Sequence, residues 1–492
     1  MKNKFYITTT LPYVNASPHI GFALEIVQAD VIARYRSALG DDVFFNTGTD
    51  EHGLKIYQKA IEEKKDPQKY CDEYAAKFNS LKEKLNLSYN NFIRTTDKHH
   101  IEAAQEFWKR CEANGDIYKK NYKTKYCVGC ELEKTDSELV NEKCPIHPER
   151  EVEIIEEENY FFRFSKYQKP LLDLYEKNPD FVIPEHRQKE IYNFVKSGLQ
   201  DFSISRFRNK MPWGVPVPGD DNHVMYVWFD ALINYISCLG WPENKKKFES
   251  FWGTKKTPNA IQVAGKDNLR QQTAMWQAML ISAGISNSRQ VFIHGFINLA
   301  GKKVSKSSEI SLPSPIELSD KYGIDALRYY LLREIPACED GDFSLERLEQ
   351  RYNADLANGL GNLVARVLTL VDRNKTESKK PEKGVLETAK KTKKSCYKAI
   401  EGFGFNEALE EIWKLIGFCD KYVDENKPWE LAKTDKKKLE QVLSNLLYCI
   451  SEIADLIAPF LPETSEKIKN QIEGSLTSKT GKLEILFPRI DK

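Results

Sequence analysis

Cys127-Val128-Gly129-Cys130 is followed, thirteen residues on, by Cys144-Pro145-Ile146-His147. Three thiols and an imidazole in two short knuckles suit tetrahedral Zn2+. All four positions are protein ligands, so the expected site is closed and structural rather than catalytic. The remaining cysteines, Cys71, Cys111, Cys238, Cys338, Cys396, Cys419 and Cys449, stand singly. In a long chain of an intracellular kind they read as buried thiols, not as a disulfide framework.

Two other groups suit phosphate chemistry. Pro18-His19-Ile20-Gly21 lies where a breaker-rich loop meets a helical pattern. A helix start offers unpaired N–H groups and the positive end of a dipole. His19 adds a donor, and Gly21 lets a nucleotide approach the backbone. Taken alone, His19 reads equally well as a polar first-turn residue. Far downstream, Gly301-Lys302-Lys303-Val304-Ser305-Lys306-Ser307-Ser308 sets three lysines among small residues. Nucleotidyl transfer needs mobile cations where charge develops, although such a run is also the composition of a solvated loop. Gly265-Lys266-Asp267 follows an apolar run at 261–264, and a carboxylate at the end of a parallel strand can take ribose hydroxyls.

The elements that would hold these groups follow from periodicity. Residues 5–9 are β-prone, and Pro12 to Pro18 form a loop. Ile20, Leu24, Val27, Val31, Tyr35 and Leu39 then recur at helical spacing until Gly40, and 43–45 form a second buried strand. A strand–helix–strand unit of this length favours a parallel α/β sheet. The rhythm stops near 115, resumes at 224–229, and returns at 261–264 and 291–296, so the sheet domain is split by an insertion. Beyond 340 three apolar stripes predict a helix bundle: Leu356 to Leu370, Leu409 to Val423 and Leu439 to Ile457. The Lys-rich stretch 374–394 reads as a solvated loop or as a basic RNA-facing patch.

The chain has 492 residues, 41% hydrophobic and 29% charged, with 73 Lys+Arg against 72 Asp+Glu. Such a length implies several domains, and a net charge of +1 excludes a whole-surface polyanion binder. No signal peptide, transit peptide or membrane-length apolar run is visible, so a cytoplasmic protein is expected, with no membrane or DNA partner.

Taken together, His19-Ile20-Gly21-Phe22 and Lys303-Val304-Ser305-Lys306-Ser307 resemble the paired HIGH and KMSKS signatures of class I aminoacyl-tRNA synthetases. Val304 replaces Met, and Phe22 replaces the second His. Within that class the resemblance narrows to methionyl-tRNA synthetases. It is carried by Thr10-Leu11-Pro12-Tyr13, Gly48-Thr49-Asp50-Glu51-His52-Gly53, Tyr226-Val227-Trp228-Phe229-Asp230-Ala231-Leu232 and Phe292-Ile293-His294-Gly295.

The resemblance implies methionine activation by ATP and Mg2+, then transfer to tRNA(Met). It implies His19, Lys303 and Lys306 as catalytic, with His19, Gly21, Gly265, Asp267 and Lys306 binding ATP. The methionine pocket would be Leu11, Tyr13, Trp228, Ala231, Tyr235 and His294, an apolar and aromatic set suited to a thioether, with Asp50 taking the α-ammonium. Asn362, Arg366 and Trp429 would read the CAU anticodon by hydrogen bonding and stacking. The four metal ligands match the family's zinc knuckle.

The implied organisation is a Rossmann-like catalytic domain in two halves (1–115 and 225–300) around a zinc insertion (116–224). A connecting module with the lysine loop (301–350) and a helical anticodon domain (351–492) follow. The chain ends without the further C-terminal dimerising module of some relatives, so a monomer is expected. The rivals are another adenylyl transferase of the same superfold, a synthetase for another apolar amino acid, and a catalytically silent RNA-binding paralogue suggested by Phe22.

Overall fold

The computed structural model describes residues 2–130, 132–134, 136–299, 302–303, 313–374, 379–476 and 484–490. Strand β1 (Lys4–Thr9), helix α1 (Ile20–Ala38) and strand β2 (Asp42–Thr49) form the expected unit. β1 pairs in parallel with β2 on one side and with the Ala260–Gly265 strand on the other. Strand β3 (Asn91–Arg94) extends the sheet beyond β2. The Gln290–His294 strand and then Val182–Ile183 extend it beyond Ala260–Gly265. All six strands are parallel, and the strand order reverses beside β1. Ligands of open α/β sheets bind at the carboxyl ends of the strands flanking such a switch.

The segment expected as an insertion, 116–224, is therefore only partly one. Strands Ile117–Cys127, Leu132–Lys134, Glu153–Phe162 and Phe202–Ser203 build a separate antiparallel sheet. Val182–Ile183 returns to the main sheet as its edge strand. Two residues are too short for a period-2 pattern to reveal, so the sequence carried no sign of it. The resumption expected at 224–229 also differs. Asp220–Met225 pairs with Pro216–Val217 and Ser205–Phe207, away from the main sheet, and Val227–Ala231 is a short helix. This helix carries two of the expected pocket residues.

The C-terminal part is a bundle of helices Asn362–Asn374, Lys383–Glu401, Phe405–Asn426, Lys436–Ile457 and Pro462–Leu476. Much of the Lys-rich stretch is thus helical. Val385, Ala389, Thr392, Cys396 and Ile400 bury one face, which leaves lysines on the other. No helix among the described residues is long and apolar enough to cross a membrane.

Helix α1 is buried on nearly every side. One face lies on the sheet, and the other meets helix Ile324–Arg333 and the bundle. Asp30, fully buried on α1, pairs with Arg328 Nη2 at 2.8 Å and Arg34 Nε at 2.7 Å. Ser88 donates to its other oxygen through both N–H and Oγ at 2.6 Å. Arg328 also donates to the carbonyls of Phe460 (2.8 Å), Pro459 (2.9 Å) and Leu85 (3.0 Å). Burial alone would raise the Asp30 carboxyl, but Arg328, Arg34 and the Ser88 donors outweigh it and hold the pKa below the usual range. Phe292 of the sheet stacks on Phe403 of the bundle with centroids 4.5 Å apart, and Tyr35 donates to Glu401 at 2.9 Å.

Asp30→Ala leaves the Arg328 guanidinium buried without a counter-charge, an expected loss of about 3–5 kcal/mol at neutral pH. Because the folded carboxyl titrates below its unfolded value of about 3.9, this stabilisation is whole above that value and is lost as pH falls through the folded pKa. Urea denaturation of both proteins across pH should show the gap between them closing on acidification.

Candidate active site

The carboxyl ends of β1, β2, Ala260–Gly265 and Gln290–His294 gather most of the residues expected from the sequence. His19 is the N-cap of α1, in extended conformation, and its Nδ1 accepts from the Gly21 N–H at 3.1 Å. With Nδ1 accepting, the neutral ring carries its proton on Nε2, so it presents a donor. The helix therefore begins two residues later than a Pro18 start would place it, and His19 closes its end. A Cβ on Gly21 would lie 3.0 Å from the His19 ring. Gly21 is thus required by the histidine as well as open to a ligand. Phe22 is buried and meets Phe78 edge-on at 5.6 Å, so it belongs to the core beneath the helix.

The loop after β1 is stitched to the end of β2. Asp50 N–H donates to the Pro12 carbonyl at 3.0 Å, and Val14 N–H donates to the Asp50 carbonyl at 3.2 Å. This places Tyr13 beside Asp50. Tyr13 and Trp228 share a small cluster with Tyr126, Val128, Tyr226 and Val227. The Trp228 indole N–H is buried with no hydrogen-bond partner among the described residues. Leu11 packs against the core that contains Tyr235. Tyr235 is fully buried. Burial raises its pKa, and Glu25 and Asp50 add to that, so its phenol stays neutral. Its oxygen accepts from Gln272 Nε2 at 2.7 Å, which leaves the hydroxyl proton to donate.

His294, buried, ends the Gln290–His294 strand. Its Nδ1 lies 2.7 Å from the Gly295 carbonyl oxygen and its Nε2 lies 3.0 Å from Glu25 Oε2. Both ring nitrogens face acceptors, an arrangement that favours the protonated ring. Burial opposes that charge, yet the bonds to Glu25 and Gly295 prevail and raise the pKa. Glu25 Oε1 in turn accepts from Thr10 N–H (2.7 Å) and Thr10 Oγ1 (2.6 Å). Gly265 lies against His294 and Asp267, and a Cβ there would come within 2.9 Å of Asp267 Oδ1. Asp267 itself is exposed at the strand end.

Of the lysine loop, Lys302–Lys303 form a short strand against Ile297–Leu299, while Lys306 lies outside the described residues. In the bundle, Asn362 starts its helix. The Arg366 guanidinium sits 5.3 Å over the Trp429 ring and bonds Asp424 Oδ1 at 2.8 Å. Trp429 is 43% exposed. The ligand atoms of Cys127, Cys130, Cys144 and His147 all lie within 4.8 Å of one another. The Cys130 and Cys144 sulfurs are 3.4 Å apart, and His147 Nδ1 is 3.3 Å from Cys130 Sγ. A Cβ on Gly129 would come within 2.5 Å of the His147 ring. Three thiols and one imidazole this close fit a tetrahedral, thiophilic divalent ion. Lys55 Nζ joins the knuckle to the pocket side by donating to the Gly129 carbonyl at 3.0 Å.

The family model described as tRNA synthetases class I (M) matches residues 5–153 and 130–368. That match covers more than half of the chain. This chain belongs to the class I methionyl-tRNA synthetase family. A model of the anticodon-binding domain of tRNA ligases matches residues 382–486. Methionine–tRNA ligases of Caldanaerobacter subterraneus and Thermotoga maritima are each 42% identical to it. They cover 100% and 95% of this chain, and the matched regions are 80% and 75% of their own lengths. The Mycobacterium tuberculosis methionyl-tRNA synthetase in complex with methionyl-adenylate superposes with TM-score 0.92 at 37% identity. The match covers 99% of this chain and 100% of that one.

Sequence reasoning missed Glu25, although a carboxylate set between Leu24 and Ile26 in the apolar first turns of α1 was its visible sign. It quoted His52, Glu51 and Asp230 inside longer motifs without seeing what they join, and His100 gave no local sign.

Gly21→Ala should hold or raise stability, because alanine favours a helix over glycine by about 1 kcal/mol. The displaced His19 ring should lower ATP–pyrophosphate exchange by about tenfold or more. Exchange kinetics beside a thermal melt check both halves.

Proposed function

We infer that this chain is a methionine–tRNA ligase that forms methionyl-adenylate from methionine and ATP and then charges tRNA(Met). One observation carries the reading. A buried carboxylate, Asp50, lies at the carboxyl end of β2 beside Tyr13, which clusters with Trp228, and the neighbouring strand β1 leads to the helix start capped by His19.

Asp50 takes the α-ammonium and turns the carboxylate toward ATP. Leu11, Tyr13, Trp228, Ala231, Tyr235 and His294 surround the thioether, where sulfur against aromatic rings contributes roughly 0.3–1.5 kcal/mol. Gly21, Gly265 and Asp267 receive the nucleotide. The methionine carboxylate oxygen forms a bond to the α-phosphorus as the α–β phosphoanhydride breaks, and pyrophosphate leaves. His19, Lys303 and Lys306 stabilise the charge that develops on the phosphates. Mg2+ supplies further charge neutralisation on the phosphates when bound. No covalent enzyme intermediate is required, so positioning dominates. Asn362, Arg366 and Trp429 receive the anticodon, with Arg366 already stacked over the indole. The expected compartment is the cytoplasm.

The knuckle of Cys127, Cys130, Cys144 and His147 suits Zn2+ in a structural role. Chelation should speed amide exchange in the antiparallel hairpin Ile117–Cys127 and Glu153–Phe162. It should leave β1, β2 and Ala260–Gly265 protected, as hydrogen-exchange mass spectrometry would show.

Exchange driven by methionine alone among the twenty amino acids, without tRNA, is the expected result for this enzyme. Lys306→Ala should lower it by orders of magnitude while tRNA binding stays. Exchange with a different amino acid would overturn the pocket assignment, and none at all would overturn the activation reading.

A further inference from the structure

Asp230 is fully buried on the five-residue helix Val227–Ala231. Its Oδ2 lies 2.6 Å from His52 Nδ1 and its Oδ1 lies 2.8 Å from His100 Nε2. The other His100 nitrogen meets Ser237 Oγ at 2.9 Å. Burial pushes the Asp230 carboxyl up, but His52 and His100 overcome it and draw the pKa down to about 2. The group is ionised, so both facing ring nitrogens donate to it. One carboxylate thus ties together three segments that are distant in sequence.

The placement of those segments matters. His52 is two residues beyond Asp50, at the end of β2, and is held on its other side by the Trp213 ring 5.8 Å away. Trp213 Nε1 also donates to the neighbouring Glu51 carbonyl at 2.6 Å. His100 belongs to the Lys98–Ala113 helix, whose Phe107 and Trp108 grip Phe229 edge-on at 5.9 and 5.3 Å. Trp228 and Ala231, on the same short helix as Asp230, form a wall of the proposed pocket. A helix this short is not stable by itself, so its distance from Asp50 depends on what anchors it. In a dry interior that anchor is the doubly bonded carboxylate, because an ion so buried cannot tolerate losing its partners.

We propose that Asp230 is a positioning residue which, through His52 and His100, sets the distance between Asp50 and the Trp228–Ala231 wall and thereby the side-chain length that the pocket accepts. The inference rests on the activation reading of the same site. A pocket distinguishes neighbours differing by one methylene by about 10–200-fold, and a wall free to shift forfeits much of that.

The test is ATP–pyrophosphate exchange by the full, zinc-loaded chain with methionine, the one-methylene-shorter S-methylcysteine and the one-methylene-longer ethionine. Asp230→Asn is expected to raise KM for methionine about tenfold or more while KM for ATP stays within about twofold. Its kcat/KM preference for methionine over both analogues should fall at least about fivefold. A loss confined to kcat, with KM and preference intact, would overturn the proposal. If Asp230→Asn fails to fold by circular dichroism, His100→Asn, which leaves the carboxylate its His52 partner, is read in the same way. Normal exchange by the unaltered chain with unchanged preference in the variants overturns this inference alone. No exchange by the unaltered chain overturns the activation reading and this inference with it.

Discussion

The pairing of Asp30 with Arg328 is the constraint on which the arrangement depends. Helix α1 begins at Ile20, just after its His19 cap, and carries Glu25 and Asp30 on successive turns. Its far side faces the connecting helix and the bundle, so α1 has no free surface on which to solvate a carboxylate. Asp30 is tolerable only because Arg328 arrives from the connecting helix, and Arg328 only because Asp30 and the Phe460, Pro459 and Leu85 carbonyls receive its donors. Each charge makes the other's burial possible. The outcome is a fixed relation between the helix that His19 caps and the bundle that carries Arg366 and Trp429.

The same logic recurs nearer the pocket. Glu25 and His294 form a buried pair whose remaining atoms are satisfied by Thr10 and the Gly295 carbonyl. Glu51 accepts both Nε (2.7 Å) and Nη2 (2.9 Å) of Arg94 in a bidentate pair. Glu25 and His294 join the two halves of the sheet domain, and Glu51 and Arg94 join the ends of the neighbouring strands β2 and β3. Apolar packing would hold those segments together without fixing their register to a fraction of an ångström. Directional, charge-assisted bonds do so. A site whose chemistry consists of positioning one carboxylate against one phosphorus has most use for that kind of support.

Much of this was legible in the chain. The 3.6-residue period of α1, the β-prone runs flanking it and the three apolar stripes beyond 340 predicted the parallel sheet and the bundle, because each pattern reports a locally repeating burial. The knuckle was legible because metal ligation demands particular residue types at short spacing. Val182–Ile183 was not, since two residues carry no period. The Val227–Ala231 helix was not either, since a five-residue apolar run reads as strand or helix alike. The Lys-rich stretch read as a solvated loop or a basic RNA-facing patch, because its lysines outnumber the apolar stripe that Val385, Ala389, Cys396 and Ile400 bury.

What the sequence determined by itself was therefore residue chemistry and local form: which positions could cap a helix, ligate a metal, line an apolar pocket or stack on a base. Tertiary structure alone decided how those chemistries are biased. His19 offers Nε2 because Gly21 N–H occupies Nδ1. His294 has its pKa raised because Glu25 and the Gly295 carbonyl meet its two ring nitrogens, and Asp230 remains an anion between His52 and His100. Each is a balance between desolvation and a partner distant in sequence, and no local pattern encodes it.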